Sequence, residues 1–192
     1  MTPVSTAAPA PALASRSRAA SRDELQSIPW LDRLDAAERE RVVADMRVVS
    51  VKPGELVYRV GRPVTYWFGL IDGLLKMSND TALGMPITFT GMPPGGWFGE
   101  GTVLKNEVYR YNIQALRRST VAGIGTATFH WLLDRSIGFN RFVMNQLNER
   151  LGQFIAAREI DRMTHPDERV ARNLAALRYM EPQRSGRIVN IA

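Results

Sequence analysis

The chain has 192 residues, of which 45% are hydrophobic and 23% charged, and it contains no cysteine. This length allows one compact domain and part of a second. The lack of cysteine excludes disulfides, thiolate-held iron–sulfur clusters and cysteine zinc sites, and two histidines are too few for a zinc site of their own. No apolar run is long enough for a membrane-spanning helix, so a membrane partner is not expected.

The net charge of +6 lies at the two ends of the chain. Residues 1–22 carry +3, residues 23–135 are neutral and residues 136–192 carry +3. The neutral centre gives no support for a nucleic-acid-binding face. Residues 1–22 are rich in Ala, Pro and Ser, and their arginines follow the apolar part, which reverses the order of a secretory signal. We therefore expect a disordered tail on a cytoplasmic protein, with a transit peptide as the alternative.

The first predicted elements are two short helices that begin near Asp23 and are interrupted at Pro29. Asp35 is a candidate N-cap, and Glu38 three residues later completes a capping box. An apolar stripe at helical spacing follows at Val42, Val43 and Met46.

From Val48 onward the pattern changes to short β-branched and aromatic runs separated by Gly and Pro. Several short strands at intervals of about ten residues are typical of a β-barrel, jelly roll or sandwich. The predicted strands are 48–51, 56–60, 66–71, 74–77, 87–89, 109–116 and 120–124.

Helical periodicity returns after Thr128, with a short helix and then a long one over 139–163. Thr164 to Asp167 breaks the long helix because of Pro166. A further helix over 167–180 and a strand over 187–191 complete the predicted elements.

The densest candidate site is Gly95-Gly96-Trp97-Phe98-Gly99-Glu100, followed ten residues later by Arg110. A glycine-rich turn that opens a helix presents backbone amides to an anion. A carboxylate accepts hydrogen bonds from a sugar hydroxyl, and an arginine grips a phosphate. The set suits a nucleotide, although a tight corner with a surface Glu100–Arg110 ion pair explains the same residues. No nucleophile–base arrangement or phosphate-binding loop motif is present, so we expect no enzyme and no catalytic residues.

These residues resemble the Crp/Fnr family in their order and spacing. The resemblance rests on Pro53-Gly54, Gly61, Gly73, the Phe98-Gly99-Glu100 turn with Arg110, and the long helix that follows. It implies an α+β fold in which a jelly-roll-like β-roll, a double-stranded β-helix, is flanked by N-terminal helices and a long C-terminal dimerisation helix. It also implies that Gly99 and Glu100 contact a ribose and that Arg110 contacts a cyclic phosphate.

Three positions depart from the members of the family that bind cyclic AMP. Tyr111 stands where those members have a small hydroxyl residue, and Phe154 and Ile155 stand where their long helix offers two hydroxyls to the adenine. We therefore expect a small, cyclic-nucleotide-like effector, with cyclic AMP itself doubtful, and no other cofactor. Counting forward from Glu100 places Arg110 at the phosphate, whereas counting back from Ala115-Leu116 places Tyr109 there. We favour Arg110, because a tyrosine cannot neutralise a phosphate, and Tyr109 stays the alternative.

The long helix carries a heptad-spaced seam of apolar residues, which predicts a homodimer. Phe142, Val143 and Ile155 lie off that seam and are expected to cover the β-roll. The seam residues are Met144, Leu147, Leu151 and Phe154.

The resemblance divides the chain into a tail (1–22), an effector-sensing β-roll domain with its N-terminal helices (23–135), a dimerisation helix (136–165) and the hinge, helix and first strand of a truncated DNA-binding domain (166–192). The family's recognition helix would follow this last strand, so DNA, and with it RNA polymerase, is expected as a partner only of a longer chain. The chain is then the sensing and dimerising portion of a transcription regulator. The alternatives are a free-standing nucleotide-binding module that acts on a protein partner, and an oligomerisation scaffold whose pocket is empty.

Overall fold

A computed structural model describes residues 13–80, 86–162 and 167. Its helices are α1 (Arg22–Gln26), α2 (Ala36–Asp45), α3 (Glu100–Lys105), α4 (Thr126–Arg135) and α5 (Ile137–Asp161), with 3₁₀ turns at Leu13–Arg16 and Pro29–Arg33. Its strands are β1 (Arg18–Ala19), β2 (Arg47–Val51), β3 (Leu56–Tyr58), β4 (Tyr66–Asp72), β5 (Leu75–Asp80), β6 (Pro86–Met92), β7 (Trp97–Phe98), β8 (Asn112–Ala115) and β9 (Ser119–Gly125).

The strands form two antiparallel sheets that make up a β-roll. One sheet has the order β1-β2-β9-β4-β7 and the other has the order β3-β8-β5-β6. The predicted strands are present with shifted ends, and the α+β composition is confirmed. The short strand β7 was not predicted, because it lies inside a run dense in Gly and Pro and pairs only with Phe68 and Gly69 of β4.

The prediction of a disordered tail over residues 1–22 is wrong for residues 13–22, whereas residues 1–12 lie outside the described part. Strand β1 pairs with β2, and Arg16 forms an ion pair with Glu55. Arg18 binds both carboxylate oxygens of Glu24, at 2.7 and 2.6 Å. Two of the three arginines in the segment that was predicted to be disordered, Arg16 and Arg18, therefore have acidic partners in the folded domain.

Helix α2 begins as predicted. The Asp35 side chain accepts from the Glu38 backbone N–H at 2.8 Å, and the Glu38 side chain accepts from the Asp35 N–H at 3.1 Å. Glu38 also accepts a hydrogen bond from the Ser136 hydroxyl at 2.8 Å. Because Ser136 lies between α4 and α5, this contact joins the N-terminal helices to the start of the long helix.

A cluster of aromatic side chains packs α4 and α5 against the sheet that contains β4 and β7. Trp67 and Trp97 lie with ring centroids 4.4 Å apart, and Trp30 meets the Trp97 ring edge-on at 5.1 Å. Phe129 of α4 and Phe139 of α5 pack against Trp67 at 5.2 and 5.5 Å. Buried aromatic contacts of this kind fix the position of Trp97, which directly precedes the Phe98-Gly99-Glu100 turn.

Helix α5 has 25 residues and covers most of the predicted range 139–163. No described helix is long and apolar enough to cross a membrane. Apart from residue 167, the predictions for the break at 164–167, the further helix over 167–180 and the strand over 187–191 concern residues outside the described part.

Candidate effector site at the Gly99–Glu100 turn

The predicted turn lies between β7 and α3. Gly99 is the N-cap of α3 and adopts φ +88°, in the left-handed region that favours glycine. This conformation turns the chain sharply, so that Glu100 becomes the first residue of α3 and is 0% exposed. The turn therefore places a carboxylate inside the domain rather than on its surface.

The charge on Glu100 is compensated from the long helix. Arg150 of α5 places its Nη1 2.6 Å from Glu100 Oε1. Its Nη2 donates to the Trp97 carbonyl at 2.5 Å. Oε1 is thus paired with a cation, whereas Oε2 has no hydrogen-bond partner among the residues that the structure describes. One oxygen of this buried carboxylate, Oε2, thus remains available to a donor.

Arg110 lies outside the roll in this structure. Its guanidinium donates to Glu107 Oε2 at 3.0 and 2.6 Å, and its side chain is largely exposed. The Glu107 hydrogen bond raises the pKa of Arg110, and the same bond lowers the pKa of Glu107. The two residues line an open cavity of about 650 Å³ together with Val60, Gly61, Val108, Tyr109 and Tyr111. The alternative explanation, a Glu100–Arg110 ion pair, is not realised, because each residue has a different partner.

Tyr109, the alternative phosphate residue, belongs to the core. Its ring stacks on Tyr58 with centroids 3.7 Å apart at an angle of 12°. Its hydroxyl donates to the Tyr66 carbonyl at 3.1 Å and accepts from the Thr65 N–H at 3.3 Å. Burial raises the pKa of both Tyr58 and Tyr109. The hydroxyl of Tyr109 therefore has a structural function, and Arg110 is the residue of this pair that is open to an anion.

Tyr111 directly precedes β8 and is 39% exposed. It follows Arg110 directly and borders the same cavity. Its ring meets Phe89 of β6 edge-on at 5.4 Å. In the Crp/Fnr members that bind cyclic AMP, a small hydroxyl residue stands at this position. Here the position holds the ring of Tyr111, which packs against Phe89.

The structure does not bring Phe154 and Ile155 to the turn. Both side chains are on the open side of α5, at 58% and 60% exposed. The prediction that Ile155 covers the β-roll is therefore wrong, whereas Phe142 is half-buried and Val143 is buried, as expected. The α5 residue that reaches Glu100 is Arg150, which the sequence reasoning missed. The sequence could have indicated this role, because Arg150 follows Val143 by seven residues and therefore lies on the same, inward-facing side of α5.

The predicted seam is exposed in the single chain. Its four apolar side chains lie on one side of α5 and are between 38% and 58% exposed: Met144, Leu147, Leu151 and Phe154.

No cluster of three or more His, Asp and Glu side chains in the described residues is placed to hold a metal ion.

Comparison with known proteins identifies the fold. Residues 48–136 match the family model of the cyclic nucleotide-binding domain. The chain is 27% identical over 139 residues to the cAMP-dependent protein kinase regulatory subunit of Schizosaccharomyces pombe. This match covers 72% of the chain but only 32% of the yeast protein.

Two solved structures have the same architecture. The sensor domain of the transcriptional regulator DNR from Pseudomonas aeruginosa aligns with a TM-score of 0.60 and 20% identity, over 76% of this chain and 94% of that one. The regulatory domain of Toxoplasma gondii PKA, crystallised with cAMP, aligns with a TM-score of 0.56 and 23% identity, over 66% of this chain and 48% of that one. The β-roll that holds the Gly99–Glu100 turn therefore has the cyclic nucleotide-binding domain fold, similar to Crp/Fnr-type regulators and to protein kinase A regulatory subunits.

Proposed function

We propose that this chain is the effector-sensing and dimerising portion of a Crp/Fnr-type regulator. The observation that carries the proposal is the completely buried Glu100 carboxylate, whose Oε2 has no hydrogen-bond partner among the described residues. Leaving buried acceptors unpaired is costly, so such groups call for an explanation such as a ligand donor. A hydroxyl of a nucleotide-like effector supplies that donor.

The second polar group of the proposed site is Arg110. Its present partner, Glu107, is an exposed carboxylate, and surface ion pairs of this kind are worth little. An anionic effector can therefore replace Glu107 at low cost and use the planar fork of the guanidinium. Glu100 would accept from a hydroxyl and Arg110 would hold an anion, which matches the chemistry of a cyclic nucleotide.

Cyclic AMP itself is expected to bind weakly. Tyr111 places an aromatic ring where a small hydroxyl is expected, and the ring is held by Phe89. A site built without a hydrogen-bonding partner rejects a ligand that needs one by about 1–3 kcal/mol for each unpaired group. The effector that we propose is nucleotide-like in its hydroxyl and its anion but more apolar elsewhere.

Isothermal titration with cyclic AMP and cyclic GMP tests the proposal, using Arg118→Ala as an exposed arginine control. We expect dissociation constants weaker than about 100 µM. We expect this residual binding to be lost in Arg110→Ala and in Glu100→Gln but retained in the control. Micromolar binding of cyclic AMP would contradict the effect assigned to Tyr111. Binding that survives both substitutions would place the ligand elsewhere.

One observation favours a scaffold as the second candidate. Tyr58 stacks on Tyr109, and its hydroxyl oxygen lies 3.6 Å from the position that a Cβ on Gly99 would take. Aromatic rings therefore already pack against the turn without any ligand. Titrations that give no heat for either nucleotide at millimolar concentration would favour this reading. A third candidate, a module that acts on a protein partner, rests on the similarity to a kinase regulatory subunit.

A further inference from the structure

Two arginines from different helices share the ring of one half-buried tryptophan. The Cζ of Arg41, on α2, lies 4.2 Å from the centroid of the Trp131 ring on α4, and the Cζ of Arg135, at the end of α4, lies 5.6 Å from it. The other three tryptophans of the chain are buried, so Trp131 is the indole that solvent can reach. We call these three residues the Trp131 patch.

The two guanidiniums of the patch have no acidic partner. Five arginines form ion pairs among the residues that the structure describes, and neither Arg41 nor Arg135 is one of them. Glu40 and Asp134, their neighbours in the sequence, are exposed and form no ion pair with them. Contact with an aromatic face holds a guanidinium in place without using its N–H donors for a hydrogen bond to an oxygen. The donors of both arginines are therefore available to a partner.

The surroundings of Arg41 leave the patch open to an approaching chain. Ala37 and Ala44 lie four residues before and three residues after Arg41 on the outer face of α2, and all three residues are exposed. Short side chains give a second backbone room to come close. Binding energy at protein interfaces is concentrated in Trp and Arg side chains, and side chains that are already held in place lose less conformational entropy when a partner binds.

We propose that the Trp131 patch is a docking site for an acidic segment of a protein partner. Carboxylates match the planar fork of a guanidinium, and two guanidiniums at one ring suit two acidic side chains about one helical turn apart. A nucleic acid is disfavoured, because it binds through many phosphate contacts and residues 23–135 carry no net positive charge. The patch is formed by α2 and α4, and the effector-site residues Glu100 and Arg110 take no part in it.

Fluorescence anisotropy with a labelled hexaglutamate peptide tests the docking site at about 0.15 M salt, where attraction between distant charges is screened. Arg41→Gln/Arg135→Gln is compared with Arg59→Gln/Arg118→Gln, which removes the same charge from exposed positions outside the patch. We expect binding to weaken about tenfold in the patch variant and to change less than about twofold in the control. Equal weakening in both variants, or a parent chain that does not bind the peptide at millimolar concentration, would overturn the docking site.

Acrylamide quenching of tryptophan fluorescence shows where the peptide binds. Because Trp131 is the tryptophan that solvent can reach, bound hexaglutamate should reduce the quenching about twofold by covering the ring, whereas hexaglutamine should leave it unchanged. Equal protection by inorganic phosphate would make the patch a small-anion site. Tighter binding of oligothymidine than of hexaglutamate would make it a nucleic-acid surface. Either result would overturn the proposal.

A matched pair of substitutions at Trp131 tests the function of the ring. Trp131→Phe keeps an aromatic face for the two guanidiniums, whereas Trp131→Leu keeps apolar bulk without that face. We expect hexaglutamate to bind the Phe variant nearly as tightly as the parent and the Leu variant about threefold more weakly, because the arginines are no longer held in place. Equal affinities of the two variants would show that the ring does not position the arginines and would overturn the patch as one site.

Discussion

Gly69 of β4 lies directly behind the candidate turn, with its backbone against the Trp97 ring. A Cβ at this position would overlap the Trp97 side chain, which is itself 1% exposed and enclosed by other aromatic rings. Because the ring has no room to move, an added methyl group has to displace the strand or the indole. The position of Trp97, and with it the start of the Gly99–Glu100 turn, depends on this glycine.

We therefore expect Gly69→Ala to lower the free energy of unfolding by about 1–3 kcal/mol. Gly101→Ala is the matched control, because no atom lies within 4 Å of the Cβ that it adds. Alanine also favours the helix at that position, so the control should be neutral or stabilising. Urea unfolding followed by tryptophan fluorescence measures both variants. Equal midpoints for Gly69→Ala and the parent would show that the strand adjusts freely.

The residues of the candidate site were predictable to different degrees. The turn at Gly99 and Glu100 could be predicted, because a glycine-rich turn before a helix is formed by residues that are adjacent in the sequence. The contact between Arg110 and Glu107 was not foreseen, because it depends on how the loop before β8 is folded. Arg150 was missed because its distance from Glu100 in the sequence, 50 residues, is bridged only by the packing of α5.

At the scale of elements, the junction of β1 and α1 is closed by a network around Glu24. Its side chain accepts from both nitrogens of the Arg18 fork and from the Ser21 backbone N–H at 2.7 Å. The hydrogen bond from Arg18 lowers the pKa of Glu24 from 4.5 to about 2. This network keeps residues that were predicted to be disordered attached to the first sheet.

The stability that this network supplies should depend on pH in a defined direction. The pKa of Glu24 is depressed in the folded state, so its contribution is complete above about pH 4.5 and is lost as the pH falls towards 2. The difference in melting temperature between the parent and Glu24→Gln should therefore be constant above pH 5 and shrink below pH 4. Glu40→Gln, at an exposed position of α2, is the control. A difference that is independent of pH would contradict the assignment.

Helix α5 shows what periodicity can and cannot establish. The spacing of apolar residues correctly predicted a long helix and placed Val143 and the seam on different sides of it. It did not predict that the inner stripe turns polar after Val143, because half-buried glutamine and arginine have the same pattern as solvent-facing residues. Ile155 was misplaced for a related reason: a hydrophobic residue next to a seam does not reveal which neighbour it faces.

At the scale of the whole molecule, most of the fold follows from the strand pattern. Short strands separated by Gly and Pro predicted a β-barrel, jelly roll or sandwich, the resemblance to the Crp/Fnr family narrowed this to a β-roll, and the structure has the two antiparallel sheets of such a roll. Strand order was not predictable from those patterns, because β2 pairs with β9 across some 70 residues of chain. The aromatic cluster of Trp30, Trp67 and Trp97 likewise joins three separate elements, which only the folded structure brings together.

The exposed seam of α5 indicates how two copies of the chain associate. Leu151 and Phe154 are 57% and 58% exposed in the single chain, and Met144 and Leu147 continue the same stripe. A heptad-spaced apolar stripe on one helix face is the pattern that pairs with a second copy of itself. We therefore predict that the proposed sensor forms a two-fold dimer through the α5 seams of two copies.

Sedimentation equilibrium of the parent chain at micromolar concentration tests this central claim most directly. The account predicts a mass of twice the 21.5 kDa of one chain. It also predicts a monomer when Leu147 and Leu151 are both replaced by Asp, and an unchanged dimer when the exposed Asn145 and Asn148 are replaced in the same way. A parent chain that sediments at 21.5 kDa, or a dimer that survives the leucine substitutions, would contradict it.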